Sequence, residues 1–203
     1  MEIKEIYDIT NPQKSIWYME QYYKGTTINN ICGSVTINEK IDLKKFEKAI
    51  RIFVSRNQAF GIKLKIEKDT PKQYFCDLTD FEIEHVEIDS KEQIQDIENE
   101  MVNTPFEIID SLLFKFKIFK LSNGHGGFVV CCHHIISDAC TLALIANVIT
   151  KIYYNLINNI DEQYDFPSYL DYINSEKDYL KSDKFNRNIL EVMKYETKYR
   201  QNI

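Results

Sequence analysis

The chain has 203 residues, 44% hydrophobic and 28% charged, with a formal net charge of −6 at pH 7. That length can bury a core without disulfide or metal staples, and the composition is that of an ordinary globular domain. The acidic balance, without a large basic patch, argues against nucleic acid as the main partner. The charged start Met1-Glu2-Ile3-Lys4-Glu5 lacks a signal segment, and no apolar run approaches the ~20 residues of a membrane span, so no membrane association is expected. Five cysteines without framework spacing point to reduced thiols and a cytoplasmic protein.

Pro12 to Tyr23 reads as a first helix, with proline placed early, where its missing N–H does no harm. Ile28 to Ile37 reads as a strand. Asp42 is the expected N-cap of a helix carrying Leu43, Phe46, Ile50 and Phe53 on one face. Ile62 to Ile66 alternates, Asp69-Thr70-Pro71 is a turn, and Gln73 to Cys76 returns as the partner strand. Phe81 to Ile88 is another strand. Ser90-Lys91-Glu92-Gln93 reads as a capping box opening a helix with Ile94, Ile97 and Met101 aligned, which Thr104-Pro105 ends. Leu113 to Phe119 alternates apolar with basic for most of its length, and Phe128 to Cys132 is a continuous apolar run, the pattern of a strand buried on both faces. Asn123-Gly124 between them is a hairpin signal. A helix from Asp138 to about Ile157 is apolar almost all round and hence expected to be buried. Tyr169 to Lys181 and Arg187 to Arg200 read as more exposed helices. Strands and helices mix without strict alternation, which predicts an α/β sandwich with a mixed or largely antiparallel sheet flanked by helices.

The run Cys131-Cys132-His133-His134-Ile135-Ile136-Ser137-Asp138-Ala139 carries the chemistry. Histidine is the usual general base near neutral pH. Side chains alternate along a strand, so His133 and His134 cannot both face a cavity. A zinc reading of Cys131, Cys132, His133, His134 and Cys140 is disfavoured, because neighbouring strand residues diverge and no second ligand pair stands at finger-type distance. A Cys-His nucleophilic pair using Cys132 or Cys140 is conceivable, but both lie in apolar runs where cysteine is usually core. His85 is read as a surface or bulge residue, His125 as a solvated turn residue, and Trp17 and Tyr18 as core at helical spacing.

His133-His134-Ile135-Ile136-Ser137-Asp138-Ala139 resembles the His-His-x-x-x-Asp-Gly core of nonribosomal peptide synthetase condensation domains, within the chloramphenicol-acetyltransferase-like superfamily. Three further stretches are similar to that family in the same order. They are Thr10-Asn11-Pro12-Gln13-Lys14-Ser15-Ile16-Trp17-Tyr18, Arg56-Asn57-Gln58-Ala59-Phe60-Gly61, and Pro105-Phe106-Glu107 followed by Leu112-Leu113-Phe114-Lys115. The resemblance runs from about Ile6 to Tyr179 and implies a single lobe of the sandwich. It implies His134 as the catalytic residue, with His133, Asp138 and Ala139 supporting it. Two positions depart from the pattern. Gly61 stands where the family has an arginine that pairs with the motif aspartate, which leaves Arg56 as the first candidate partner of Asp138. Ala139 stands for glycine and would strain the loop if a left-handed residue were required there.

The activity this resemblance implies is amide formation between a carrier-bound acyl thioester and a carrier-bound amine. The partner would be a peptidyl or acyl carrier protein presenting its phosphopantetheine arm, with no directly bound cofactor and no metal. Residues 1–182 correspond to the N-terminal lobe and 183–203 to a helical tail leading toward a second lobe, so the isolated chain is expected to be weak or inactive. The alternatives are a stand-alone homo-oligomeric acyltransferase using acyl-CoA, and an inactive lobe that binds a carrier protein.

Overall fold

The computed structural model describes residues 5–78 and 80–200, with side chains to Glu191; the charged start 1–4 and the side chains of the tail after Glu191 lie outside the described residues. The chain divides into two compact units, residues 1–166 and 167–203. The expected lobe boundary at 182 falls inside the second unit.

The first unit opens with a short strand, β1 (Ile6–Asp8), whose three residues are too few to show a pattern in the sequence. Helix α1 (Asn11–Tyr22) starts where Thr10 and Gln13 form a reciprocal capping box. Strand β2 (Asn30–Ile37) leads to helix α2 (Leu43–Arg56), whose N-cap is Asp42, accepting from the Lys45 N–H at 3.1 Å. A 3₁₀ turn (Gln58–Gly61) precedes β3 (Ile62–Glu67) and β4 (Thr70–Phe75). Then follow β5 (Ile83–Ile88), α3 (Glu92–Val102), β6 (Phe114–Leu121), β7 (Gly126–His133) and α4 (Ala139–Ile157). The capping box expected at Ser90 is only half formed. Gln93 Oε1 accepts from the Asp89 and Ser90 N–H groups, but the residue ahead of α3 is Lys91, already helical and making no side-chain cap.

The strands form two sheets. One has the order β1-β4-β3, all antiparallel; the other has the order β2-β7-β6-β5, antiparallel except for the parallel pair β5 and β6. The parallel pair is bridged by α3, as a crossover connection requires. Strand β7 is central in the larger sheet and buried along its whole length. Its Val129 and Cys131 pack with Ile94, Ile97 and Met101 of α3. On the other face Phe128 meets Phe46 of α2 and Phe116 of β6, and Phe46 meets Tyr153 of α4 edge-on. Each such buried phenylalanine contributes about 1.5–3 kcal/mol. The hairpin between β6 and β7 turns at Gly124, which alone of Asn123-Gly124 takes a positive φ, +87°.

Helix α4 is not buried all round. Only Ile145, Ile149, Ile152 and Tyr153 are buried, while Leu144, Tyr154 and Ile157 are exposed. Contrary to the expectation from apolar run length, it is also long and apolar enough to cross a membrane by length and composition. Its isoleucine row seats it on the sandwich beside α2. The second unit holds α5 (Tyr169–Leu180), capped by Ser168, and α6 (Asp183–Arg200).

Candidate active site

Strand β7 delivers the two histidines to the edge of the sandwich in different environments. His133 pairs with Asn30 and ends the strand; it is 1% exposed. His134 is exposed, and its backbone N–H donates to the Asn29 carbonyl at 2.7 Å, which extends the β2–β7 ladder by one more pair. The alternation expected from strand geometry therefore holds.

Hydrogen bonding assigns the tautomer of each ring. His134 Nδ1 lies 2.6 Å from the Ser137 carbonyl oxygen. A carbonyl can only accept, so Nδ1 carries a proton, and in the neutral ring the lone pair lies on Nε2. His133 Nδ1 accepts from the Ile135 N–H at 3.2 Å, so its Nε2 carries the proton and donates to Glu20 Oε2 at 3.2 Å. Burial pushes the His133 pKa below the ordinary histidine value against the pull of Glu20, and the charge of His134 would lower it further. His133 is thus a buried neutral ring that shapes the turn. The Ser137 hydroxyl and the Ile136 N–H both donate to its carbonyl, each at 3.1 Å.

Two buried clamps hold this turn, and both come from α1. The buried face of α1 consists of Gln13, Trp17 and Glu20, two of them polar. The Gln13 amide nitrogen donates to the Ile135 carbonyl at 3.3 Å and to Gln73 Oε1 of β4 at 3.0 Å. Glu20 Oε2 accepts from His133 and, at 2.7 Å, from the Asn29 side-chain amide. Sequence reasoning marked the Thr10–Tyr18 stretch but missed Glu20, Asn29 and Gln73. The available signal was the spacing Gln13, Trp17, Glu20, which puts two polar groups on the inward face of a helix.

Asp138 caps α4. Its Oδ1 accepts from the Thr141 N–H and hydroxyl, each at 2.7 Å, and these bonds lower its pKa, with smaller help from His134 and Cys140. Arg56 is not its partner. Among the described residues no ion pair reaches Asp138, and Arg56 lines a separate cavity of about 540 Å³ with Lys48, Glu162 and Asp165. Gly61 could not carry a side chain in place, since a Cβ there would meet the Cys76 carbonyl oxygen at 2.5 Å. Ala139 opens α4 without a positive φ, so the strain that a left-handed position would have imposed does not arise.

The remaining candidates lie elsewhere. Cys131 points to the Met101 carbonyl, Cys132 is buried with its thiol pushed up to about 12 by burial, and Cys140 is exposed at the start of α4. His85 pairs with Glu47 on the surface, and His125 donates its backbone N–H to the Asn123 side chain in the hairpin turn. Trp17 is buried as expected, but Tyr18 is 67% exposed.

A helix-flanked sandwich with a histidine pair ending a buried central strand, followed by a helix-capping aspartate, defines a chloramphenicol-acetyltransferase-like fold. The condensation-domain family model matches residues 3–189, and the chain belongs to that family. It is 30% identical over 195 residues to surfactin synthase subunit 1 of Bacillus subtilis (strain 168), covering 92% of this chain and 5% of that protein. It is 24% identical over 188 residues to bacitracin synthase 3 of Bacillus licheniformis, covering 92% of this chain and 3% of the relative. Among solved structures it is similar to the starter condensation domain of a rhizomide synthetase, with TM-score 0.85, 19% identity, and coverage of 94% of this chain and 48% of that one. A variant of that domain in complex with C8-CoA matches with TM-score 0.87. The first condensation domain of the calcium-dependent antibiotic synthetase, in complex with a substrate analogue, matches with TM-score 0.81 and 17% identity. The chain thus spans about half of these solved condensation domains and a small fraction of the curated synthetases.

Proposed function

We propose that this chain supplies the histidine-bearing half of an amide-forming acyltransferase of nonribosomal peptide synthesis. In this reading the amine nitrogen of a carrier-bound acceptor attacks the carbonyl carbon of a carrier-bound acyl thioester. The C–N bond forms, the C–S bond breaks, and the thiol leaves on its phosphopantetheine arm. His134 Nε2 accepts the proton of the attacking amine, or holds that amine in line, and returns a proton to the departing sulfur. The observation that carries the reading is the bond from His134 Nδ1 to the Ser137 carbonyl, which places the lone pair of the neutral ring on Nε2. Asp138 keeps the turn anchored to α4 and takes no proton. Holding two tethered reactants together can lower a barrier by ~7–11 kcal/mol, so one imidazole can suffice.

The partners in this reading are a peptidyl or acyl carrier protein and a complementary lobe. The test is a titration of the chain with a loaded carrier protein followed by NMR, together with turnover in an assembled two-lobe domain. Shifts confined to the His134 turn and its surroundings, with turnover that depends on His134, support the reading; turnover indifferent to His134 overturns it. The second reading, a homo-oligomer that acylates from acyl-CoA, draws on the C8-CoA complex of the rhizomide relative. Light scattering across a concentration range separates the two. A stable dimer or trimer that turns over acyl-CoA favours the second, and a monomer favours the first.

A further inference from the structure

A cavity of about 420 Å³ opens beside α1, lined by Trp17, Glu20, Lys24, Phe106 and Ile109 among others. Its size suits a small organic ligand, and its walls combine Trp17, Phe106 and aliphatic groups with the polar Glu20, Gln21, Lys24 and Glu107. Glu20 is only 7% exposed, and both of its hydrogen bonds, from His133 and Asn29, end on Oε2. Fully occluded side-chain nitrogen and oxygen atoms among the described residues all have partners. Oε1 has no hydrogen-bond partner among the described residues, so it is not fully occluded, and Glu20 lines the cavity.

The charge around Glu20 is also unbalanced. Its ring partner His133 is the neutral tautomer with a lowered pKa. No lysine or arginine forms an ion pair with Glu20 among the described residues: Lys24 lines the cavity without pairing to it, Glu107 adds a second carboxylate to the lining, and Lys115 sits over the Phe106 ring, 4.8 Å from its centroid. A buried acceptor oxygen without a cation is costly, and a donor that completes it is favoured. Aromatic walls add attraction for an ammonium group.

From this geometry we infer that the cavity is a binding site for a small organic ammonium with an apolar body. The ammonium donates to Glu20 Oε1, and its chain lies between Trp17, Phe106 and Ile109. Neither histidine lines this site; its link to the turn is the bond from His133 to Glu20, and it does not depend on the acyl-transfer reading.

Trp17 is the single tryptophan of the chain and lines the cavity, so its fluorescence reports occupancy directly. The chain is titrated near neutral pH with hexylammonium, hexanol and hexanoate. The expected result is a saturable Trp17 response to hexylammonium, with hexanol and hexanoate about tenfold weaker or more, the scale of a lost charged hydrogen bond. Glu20→Gln, checked for folding by circular dichroism, should weaken hexylammonium by a similar factor. Equal responses to hexylammonium and hexanol, no response at all, or undiminished binding by a folded Glu20→Gln each overturn the proposal. If Glu20→Gln does not fold, the three-probe series on the unaltered chain decides alone.

Discussion

His134 Nδ1 stands 2.6 Å from the carbonyl oxygen of Ser137, three residues along the same turn. The turn thus sets the ring's protonation pattern from within, without an aspartate behind the imidazole. Replacing His134 by alanine should leave the fold intact, because the side chain is exposed. In an assembled domain the same change should lower turnover by about 10²–10⁴-fold, the usual worth of a positioned general base. Steady-state rates with carrier-loaded substrates check this; an unchanged rate would remove His134 from the mechanism.

Gln13 bonds to Thr10, Gln73 and the Ile135 carbonyl, all of them buried. Gln13→Ala leaves Gln73 and that carbonyl short of a partner, so a loss of about 1–3 kcal/mol is expected. Urea unfolding measures it. The backbone amide of His134 should also shift in NMR spectra, since the turn loses one of its two ties to α1.

His133 links stability to pH. Its folded-state pKa is lowered from 6.5 by burial, so between the two values the unfolded chain binds more protons than the native one. The stability from keeping the ring neutral is therefore complete above about pH 6.5 and declines as pH falls through the lowered folded value. Unfolding midpoints at neutral pH and in mild acid should differ less in a folded His133→Gln variant than in the unaltered chain. Equal slopes in the two proteins would show that another group governs the acid limb.

Asp138 acts in the same direction through a different bond. Asp138→Ala removes the acceptor for two Thr141 donors, and a cap loss of this kind costs about 1 kcal/mol. Because the Thr141 contacts lower its pKa, this contribution is present above the unfolded aspartate value and disappears as pH falls through the folded one. Asp138→Asn should recover most of the loss at neutral pH, and thermal midpoints would show it.

Gly61 offers a test of the missing arginine. Introducing the family residue as Gly61→Arg should not create a partner for Asp138; it should destabilise the chain by roughly 1–3 kcal/mol, because any Cβ at 61 collides with the Cys76 carbonyl. Gly61→Ala should cost a similar amount, which thermal unfolding would confirm or refute.

Local pattern alone located most elements and the histidine motif. Asp42 as a cap, the alternation of β6, the continuous apolar run of β7 and the turn at Gly124 are legible because their causes lie within a few residues. The opposite environments of His133 and His134 followed from strand geometry in the same way. Other features needed the folded chain. The exposed side of α4 depends on where α2 and β2 leave it uncovered, which its apolar sequence could not show. The separation of Arg56 from Asp138, the closure around Gly61, and the clamp from Glu20 through Asn29 and His133 depend on distances that only packing sets. Periodicity tells which way a side chain points. Which partner waits there is decided by long-range contacts such as Glu20 with His133, 113 positions apart, and these exist only once the core has closed.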